Sequence, residues 1–138
     1  MMHYLLDTNV VSEVMRTTPN LAVVKQWEAH LSDIAVAATT WHELNYGVRR
    51  MVASRRRTQH EAFLADLADQ LPILPYDRLA AEWHAAQRVR LTQIGKTPPF
   101  EDGQIAAVAA MNQLVLVTAN TSDFQYFDDL QLENWTRV

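Results

Sequence analysis

The sequence contains no cysteine, only three glycines and five prolines, and no long hydrophobic run. Without cysteine there is no disulfide bond and no thiolate ligand, so any bound metal would be held by oxygen or by histidine nitrogen. Phosphate-cradling glycine loops and a G-x-S-x-G nucleophile are also missing. The chain reaches Asp7 after six residues, too short for a signal peptide, and no run approaches the roughly 18 apolar residues of a membrane span. We therefore expect a cytoplasmic protein with no membrane contact.

Apolar residues, in contrast, make up 49% of the 138 positions. A chain of this length can bury a core in one domain, which we place at residues 1–138. Apolar residues recur at helical spacing over most of the chain, and short apolar runs of strand length lie between these segments. The predicted strands are 3–6, 34–37, 71–75 and 114–118, with a short final one at 130–132. The predicted helices are 10–15, 21–31, 39–52, 63–71, 77–93 and 101–112.

Strands that alternate with helices are typical of a parallel sheet covered on both faces. The sequence therefore predicts an α/β fold, a three-layer α/β/α sandwich with a central, mostly parallel sheet. No internal repeat, linker or low-complexity segment divides the chain.

Four carboxylates stand where an apolar stretch gives way to a turn or to the start of a helix: Asp7, Glu43, Asp102 and Asp123. In doubly wound sheets, ligands bind outside the carboxyl ends of the strands, near the point where strand order reverses. All four acids would face one cleft there, and their mutual repulsion would favour a divalent cation. Mg²⁺ or Mn²⁺ suits carboxylate and water oxygens. Thr118 and Asn120, beside Asp123, could orient these ligands or merely shape a turn.

Each acid also has a structural alternative. Asp7 could cap the helix that follows it. Thr40 and Glu43 match a capping box, in which the glutamate folds back onto a backbone amide. Asp102 suits the first turn of a helix, and Asp123 could close an Asx turn. Four independent caps have no reason to fall at one edge of a sheet, however, whereas a metal site requires it.

The charge balance alone argues against a nucleic-acid partner, because 16 acidic and 12 basic residues give a net charge of −4. Setting aside the four proposed metal ligands leaves the remaining charges balanced. The basic residues are also clustered, which favours either a solvated helix face or a surface that follows RNA phosphates. The clustered arginines are Arg49, Arg50, Arg55, Arg56 and Arg57.

Four segments resemble, in this order, the motifs of PIN-domain ribonucleases: LLDTNVVSEVMR, TTWHELNYGV, PFEDGQIAAVAA and VTANTSDF. The resemblance is nearest to the VapC toxins, including their FitB-like members, and it covers nearly the whole chain. It places Asp7, Glu43, Asp102 and Asp123 at the acidic metal-binding positions of the family, and Thr118 and Asn120 at its polar neighbours. Asp102 is favoured over Glu101 because the family has an aspartate three residues before an Ile-Ala-Ala run.

The resemblance implies Mg²⁺- or Mn²⁺-dependent hydrolysis of RNA phosphodiester bonds by the toxin of a type II toxin–antitoxin system. Asp7 and Asp102 would be the principal metal ligands, Glu43 would orient the attacking water, and Asp123 would complete the shell. The resemblance further implies a homodimer and a small cognate antitoxin whose tail covers the acidic cleft.

Two other readings compete. A haloacid-dehalogenase-like phosphatase also begins with an aspartate after the first strand, but it needs a second acid two residues later, where this chain has Asn9.

A module that binds RNA or a protein partner without important catalysis would differ from a metal-dependent ribonuclease in a measurable way. Its binding would persist in a chelator, and the isolated chain would not cleave RNA.

Overall fold

An entirely parallel five-stranded sheet forms the centre of the computed structural model, which describes residues 1–136. Residues 137 and 138 of the predicted domain lie outside the described part. The strand order is β3-β2-β1-β4-β5. The strands are β1 (Tyr4–Leu6), β2 (Ile34–Ala37), β3 (Ile73–Leu74), β4 (Val115–Val117) and β5 (Leu132–Glu133).

The helices cover both faces of this sheet. The helices are α1 (Thr8–Val14), α2 (Leu21–Ala29), α3 (Ala38–Arg49), α4 (Arg55–Gln70), α5 (Arg78–Gln93), α6 (Phe100–Met111) and α7 (Thr121–Phe124). One hydrophobic cluster contains residues of the first four helices together with strand residues such as Leu6 and Val36. A second contains residues of the last three helices together with the alternate strand residues Leu5 and Ala35. This arrangement confirms the predicted three-layer α/β/α sandwich.

Several predicted bounds shift by one to three residues: the third strand was predicted at 71–75 and lies at 73–74, and the third helix was predicted to end at 52 and ends at Arg49. Three further differences are as follows. The last strand lies at 132–133, not at 130–132. Helix α7 was not predicted, because its four residues are too few to show a helical period. Helix α4 begins at Arg55, eight residues before the apolar pattern, because its first two turns are exposed and Ser54 caps them with a 3.1 Å hydrogen bond from the Arg57 amide.

The strand order determines which loops meet. β1 lies between β2 and β4, so the chain leaves β1 at the point where strand order reverses. The residue after β1 is Asp7, whose amide donates a 2.8 Å hydrogen bond to the carbonyl of Val117 at the end of β4. Asp7 and Thr118 are therefore neighbours at the carboxyl edge. Within residues 1–136, no helix has the length and apolar character needed to cross a bilayer.

Candidate functional site

Asp7 is the most firmly held acid of the site. It is only 6% exposed and stands at the N-cap of α1. Its Oδ1 accepts a 2.8 Å hydrogen bond from the Thr8 amide. Its Oδ2 accepts 2.9 Å hydrogen bonds from Thr118 Oγ1 and from Asn9 Nδ2. The capping role and a role in the cleft are thus compatible, because one carboxylate serves both.

The pKa of Asp7 reflects two opposed effects. Burial raises it, and the nearby charge of Glu43 adds to the rise. The hydrogen bonds from Thr118, Thr8 and Asn9 lower it in part. The net effect is a raised pKa, so ionised Asp7 is held in an environment that favours a counter-charge.

Asn9 is a site residue that the sequence analysis missed. Besides its bond to Asp7, its Oδ1 accepts a 3.1 Å hydrogen bond from the Ala119 amide. Its Nδ2 also lies 3.4 Å from Thr118 Oγ1. Asn9 therefore ties the start of α1 to the turn after β4. In the sequence, Asn9 is distinguished only by its place two residues after Asp7, where a haloacid-dehalogenase-like phosphatase would need an acid.

Glu43 does not belong to a capping box, and that alternative is wrong. Helix α3 already begins at Ala38, and its N-cap Ala37 has no capping side chain. Thr40 is instead fully buried inside the first turn. Thr8 Oγ1 lies 2.9 Å from Glu43 Oε1 and 3.2 Å from Thr40 Oγ1. Because the hydroxyl carries one hydrogen, the shorter bond to the carboxylate is the stronger, and it holds Glu43 beside α1.

Asp102 shows that the acids share one region. It is half-buried and is the third residue of α6. Its pKa is raised to about 6, first by burial and then by the charges of Asp7, Asp123, Glu43 and Glu101. Each of the other three predicted ligands therefore lies close enough to Asp102 to repel its charge. Glu101 is exposed, so Asp102 is the one of this adjacent pair that is turned inward.

The turn after β4 completes the arrangement. Thr118 is fully buried, and besides donating to Asp7 its Oγ1 accepts a 3.0 Å hydrogen bond from the Asn120 amide. The Asn120 side chain makes no hydrogen bond within residues 1–136, so its observed contact is through the backbone alone. Asp123, the third residue of α7, is exposed and carries no capping bond. Thr118 thus acts on Asp7 directly, whereas Asn120 acts only on Thr118.

The donor set fits a hydrated divalent cation. Among residues 1–136, no three acidic or histidine side chains lie close enough to form a closed ligand group. Mg²⁺ does not require one, because it keeps several waters and is usually held by one or two carboxylates. Hard carboxylate oxygens that repel one another, with one pKa raised to about 6, match that chemistry.

The first turn of α6 is positioned by close packing on α5. Gly103 is buried, and a Cβ placed on it would overlap the imidazole ring of His84. His84 is 3% exposed, and its Nδ1 lies 2.8 Å from the Tyr76 hydroxyl. Burial and the charge of Arg88 lower the pKa of His84, which favours the neutral ring at neutral pH. Glycine next to Asp102 therefore allows α6 to approach α5.

Comparison with known proteins identifies the family. The sequence model of the PIN domain matches residues 4–130. The chain belongs to the PIN-domain family. Ribonuclease VapC2 of Haemophilus influenzae is 30% identical to this PIN domain over 135 residues, which are 98% of this chain and 99% of the relative.

Solved structures agree with this assignment. FitAcB from Neisseria gonorrhoeae has a TM-score of 0.90 and 32% identity, covering 98% of this PIN domain and 99% of that chain. VapBC-5 from Mycobacterium tuberculosis, a member of the VapBC family of toxin–antitoxin systems, has a TM-score of 0.70 and 29% identity, covering 97% and 98%. The family resemblance and the fold inferred from the sequence are both confirmed.

A groove of about 430 Å³ is lined by Glu43, one of the four predicted metal ligands, and by Thr8, which holds it. Arg56 and His60 also line the groove. Leu44, Val48 and Met51 contribute apolar surface to it. The groove thus combines acidic, basic and apolar side chains.

The five arginines predicted to contact RNA differ in their surroundings. Arg56 alone among them lines this groove. Arg57 is used within the fold, where it donates a 2.8 Å hydrogen bond to the Met51 carbonyl and lies 3.8 Å from Glu61. The Arg50 guanidinium lies 5.0 Å from the Tyr46 ring centroid. Arg49 lines a separate depression with Arg57, and Arg55 is exposed. RNA contact by these residues stays a prediction.

Proposed function

We propose that this PIN domain is a metal-dependent endoribonuclease and the toxin of a toxin–antitoxin pair. One observation carries the proposal: burial raises the pKa of Asp102 to about 6, and the charges of Asp7, Asp123 and Glu43, the acids predicted to bind metal, add to the rise. Repulsion within such a group of carboxylates destabilises a metal-free fold, whereas a bound cation neutralises their charges. The near full-length relatives, a ribonuclease and a toxin–antitoxin structure, support the substrate and the biological role.

Asp7 and Asp102 are the proposed principal ligands of Mg²⁺ or Mn²⁺, with Asp123 and Glu43 nearby. When bound, such a cation lowers the pKa of a coordinated water and stabilises charge on the phosphate. Thr118 and Asn9 fix the orientation of Asp7, since both donate to its Oδ2. The chain thereby holds a principal ligand in place before metal arrives.

Glu43 is the proposed residue for orienting the attacking water. Thr8 holds its Oε1, whereas its Oε2 makes no hydrogen bond within residues 1–136. That second oxygen can accept a hydrogen bond from a water in the cleft. A general base must lie within hydrogen-bond reach of the proton it receives. The proposal is supported by the position of Glu43 in the lining of the groove, where a water can approach it.

We expect the stabilisation of the protein by Mg²⁺ to increase between about pH 5 and about pH 7.5. In the metal-free fold Asp102 keeps its proton up to about pH 6, whereas in the unfolded chain it loses the proton near the ordinary aspartate pKa of 3.8. Between these values the folded state binds more protons, so the free energy of unfolding falls as pH rises. A cation that binds Asp102 in place of the proton offsets this fall in the free energy of unfolding.

The measurement is the shift in melting temperature caused by Mg²⁺ at the two pH values. The shift should be small at the acidic value and large at the neutral one. In an Asp102→Asn control, most of the pH dependence should disappear. Equal shifts at both pH values in the natural chain would contradict the assignment of Asp102 as a ligand.

The proposed protein partner is a small cognate antitoxin. The groove beside Glu43 has apolar surface for such a partner, and Glu43 would attract a basic side chain. Arg56, which also lines the groove, would attract an acidic one. The homodimer implied by the resemblance stays an expectation.

The test is RNA cleavage by the purified chain, with Mg²⁺ or with a chelator, together with growth of cells that express the chain with or without the product of the neighbouring small reading frame. We expect cleavage only with metal and growth arrest only without that product. RNA binding that persists in chelator, with no cleavage under either condition, would favour the binding module instead.

A further inference from the structure

Helix α7, which carries Asp123, depends on contacts outside itself for its position. It has four residues, and a single turn of helix is not stable alone. The Asp123 carboxylate is exposed and makes no hydrogen bond within residues 1–136. Burial raises the pKa of Asp102, and the charge of Asp123 adds to the rise, so the two carboxylates lie close enough to repel each other. The chain on either side of α7 must therefore hold Asp123 there.

Before α7, the turn that follows β4 is fastened to the carboxyl edge of the sheet. The Asp123 amide donates a 3.0 Å hydrogen bond to the Asn120 carbonyl. The Asn120 amide donates a 3.0 Å hydrogen bond to Thr118 Oγ1, which in turn donates to Asp7. These bonds fix the start of α7. A helix held at its start alone could still turn about that point, so a second attachment is needed.

After α7, the second attachment is made to helix α5. Phe124 and Phe127 are buried in the second hydrophobic cluster. The Phe127 ring is stacked on Trp83 of α5, with 5.8 Å between the ring centroids and an angle of 26° between the planes. Apolar contacts of this kind hold the segment on α5, but they are not directional.

Gln87, one turn after Trp83 on the same side of α5, supplies directional bonds. It is only 7% exposed. Its Oε1 accepts a 3.0 Å hydrogen bond from the Asp128 amide and one of 2.9 Å from Arg90 Nη2. Its Nε2 donates a 3.1 Å hydrogen bond to Asp128 Oδ2. One side-chain amide thus binds both the backbone and the side chain of Asp128.

Arg90 completes the attachment. Its Nη2 also donates a hydrogen bond to the Tyr126 carbonyl, and its Nε lies 3.0 Å from Asp128 Oδ2. The side chains of Arg90 and Asp128 are 38% and 54% exposed, so their ion pair adds little to stability. A buried glutamine is unfavourable unless its polar atoms are bonded, and both polar atoms of Gln87 are used at this attachment. Its bonds define a position more than they add stability.

We propose that Gln87 is a positioning residue for Asp123: its bonds to the segment after α7 keep the Asp123 carboxylate within reach of the other acids. Gln87 bonds only to Arg90 and Asp128 within residues 1–136, so it acts through the backbone and not on a metal ligand. Asp128 is five residues after Asp123, and a shift of one would move the other. This inference rests on the proposed function, in which Asp123 lies beside the metal.

The test exchanges the amide and the carboxylate between the two partners. Gln87→Glu places a carboxylate opposite Asp128 and removes the donor, so it should displace the segment after α7. Combining Gln87→Glu with Asp128→Asn restores a donor opposite an acceptor, because the new asparagine amide can donate to the new glutamate. Asp128→Asn alone should have little effect, since its carbonyl oxygen can still accept from Gln87.

The first readout is the Kd of Mn²⁺, measured by isothermal titration calorimetry without RNA. Gln87→Glu should weaken Mn²⁺ binding by about tenfold, because a residue that orients a ligand set is changed. The double exchange should return Kd to within about twofold of the natural value. Gln93→Glu is the matched control, since it adds the same charge at an exposed position of α5. It should leave Kd within about twofold of the natural value.

A second readout follows α7 in metal-free protein. Because the chain has no cysteine, Ser122→Cys on α7 gives a single, exposed site for a nitroxide spin label. The electron paramagnetic resonance spectrum of the label should show greater mobility in Gln87→Glu, and the double exchange should restore the natural spectrum. If Gln87→Glu does not fold, Asp128→Ala at the exposed partner takes its place and should shift Kd and label mobility in the same direction.

Dependence on Asp123 separates positioning from a general loss of stability. In an Asp123→Asn background, Gln87→Glu should have no further effect on the Kd of Mn²⁺, because the group that it positions is already absent. A role in stability alone would lower the melting temperature and would weaken Mn²⁺ binding equally in both backgrounds.

Three results would overturn the inference: an unchanged Kd and label spectrum in Gln87→Glu, no recovery in the double exchange, or an equal loss in the Asp123→Asn background. Metal-dependent RNA cleavage by the natural chain judges the proposed function separately. If cleavage occurs while Gln87→Glu changes neither readout, the inference fails and the ribonuclease stands. If the natural chain neither binds metal nor cleaves RNA, while label mobility rises and is restored by the exchange, Gln87 positions α7 and the proposed function fails.

Discussion

The substitution Asp102→Asn is expected to abolish metal-dependent RNA cleavage while leaving the metal-free fold at least as stable as that of the natural chain. The side chain makes no hydrogen bond within residues 1–136, and its pKa is raised to about 6 by burial and by other acids. Asparagine keeps the shape and removes the repulsion, so the free energy of unfolding near neutral pH should not fall. Loss of a ligand charge should lower cleavage on the order of a hundredfold to a thousandfold.

The same change at Asp7 should lower the stability of the protein as well as its activity. Both oxygens of Asp7 accept hydrogen bonds, from the Thr8 amide on one side and from Asn9 and Thr118 on the other. An asparagine amide has one acceptor and one donor end, so either orientation turns hydrogens toward a donor. We expect Asp7→Asn to abolish cleavage too, with a melting temperature below that of Asp102→Asn, because a lost buried hydrogen bond costs about 1 to 3 kcal/mol.

The measurements are cleavage rates in Mg²⁺ and melting temperatures in chelator at neutral pH. Glu101→Gln is the matched control, since Glu101 adjoins Asp102 but is exposed. It should retain cleavage within a fewfold of the natural rate. The assignment fails if Asp102→Asn still cleaves at the natural rate, or if Glu101→Gln loses activity instead.

Sequence patterns located the strands and the acids because both depend on local order. The apolar run before Asp7 and the helix after it can be predicted from neighbouring residues. The carboxyl ends of parallel strands lie at one edge of a sheet, so acids that follow such strands are expected at that edge. Asp102 could be placed in a first helical turn for the same reason.

Contacts between distant residues could not be predicted in this way. Thr8 and Glu43 are 35 residues apart, and Asn9 and Ala119 are 110 apart. Their bonds depend on how α1 sits against α3 and on the register of β1 with β4, which no local pattern encodes. The apparent capping box failed likewise, since burial of Thr40 in the core outweighed its local capping preference.

The substitution Gly103→Ala is expected to destabilise the protein, although alanine is the better helix former. Propensity favours alanine by about 1 kcal/mol in a helix interior. At this position, however, the new methyl group would overlap the ring of His84, which is buried and bonded to Tyr76. Overpacking of a core costs about 1 to 3 kcal/mol, and relief would require α6 to move away from α5. Because Asp102 is the preceding residue, cleavage should also fall.

Gly47→Ala provides the matched control. Gly47 also lies inside a helix, α3, but a Cβ there would meet no atom within 4 Å. Urea unfolding should show that Gly47→Ala raises the free energy of unfolding by about 0.5 to 1 kcal/mol, whereas Gly103→Ala lowers it. Equal stabilisation by both would contradict the close contact.

A double substitution separates packing from other effects of Gly103→Ala. His84→Ala alone should destabilise the protein, because it leaves a cavity and removes the partner of Tyr76. In the His84→Ala background the space beside residue 103 is open, so Gly103→Ala should there be stabilising, as helix propensity predicts. Its effect on the free energy of unfolding would thus reverse in sign. That reversal would show that the His84 ring is the reason for a glycine next to Asp102. If the two substitutions instead caused additive losses of the free energy of unfolding, this explanation would be excluded.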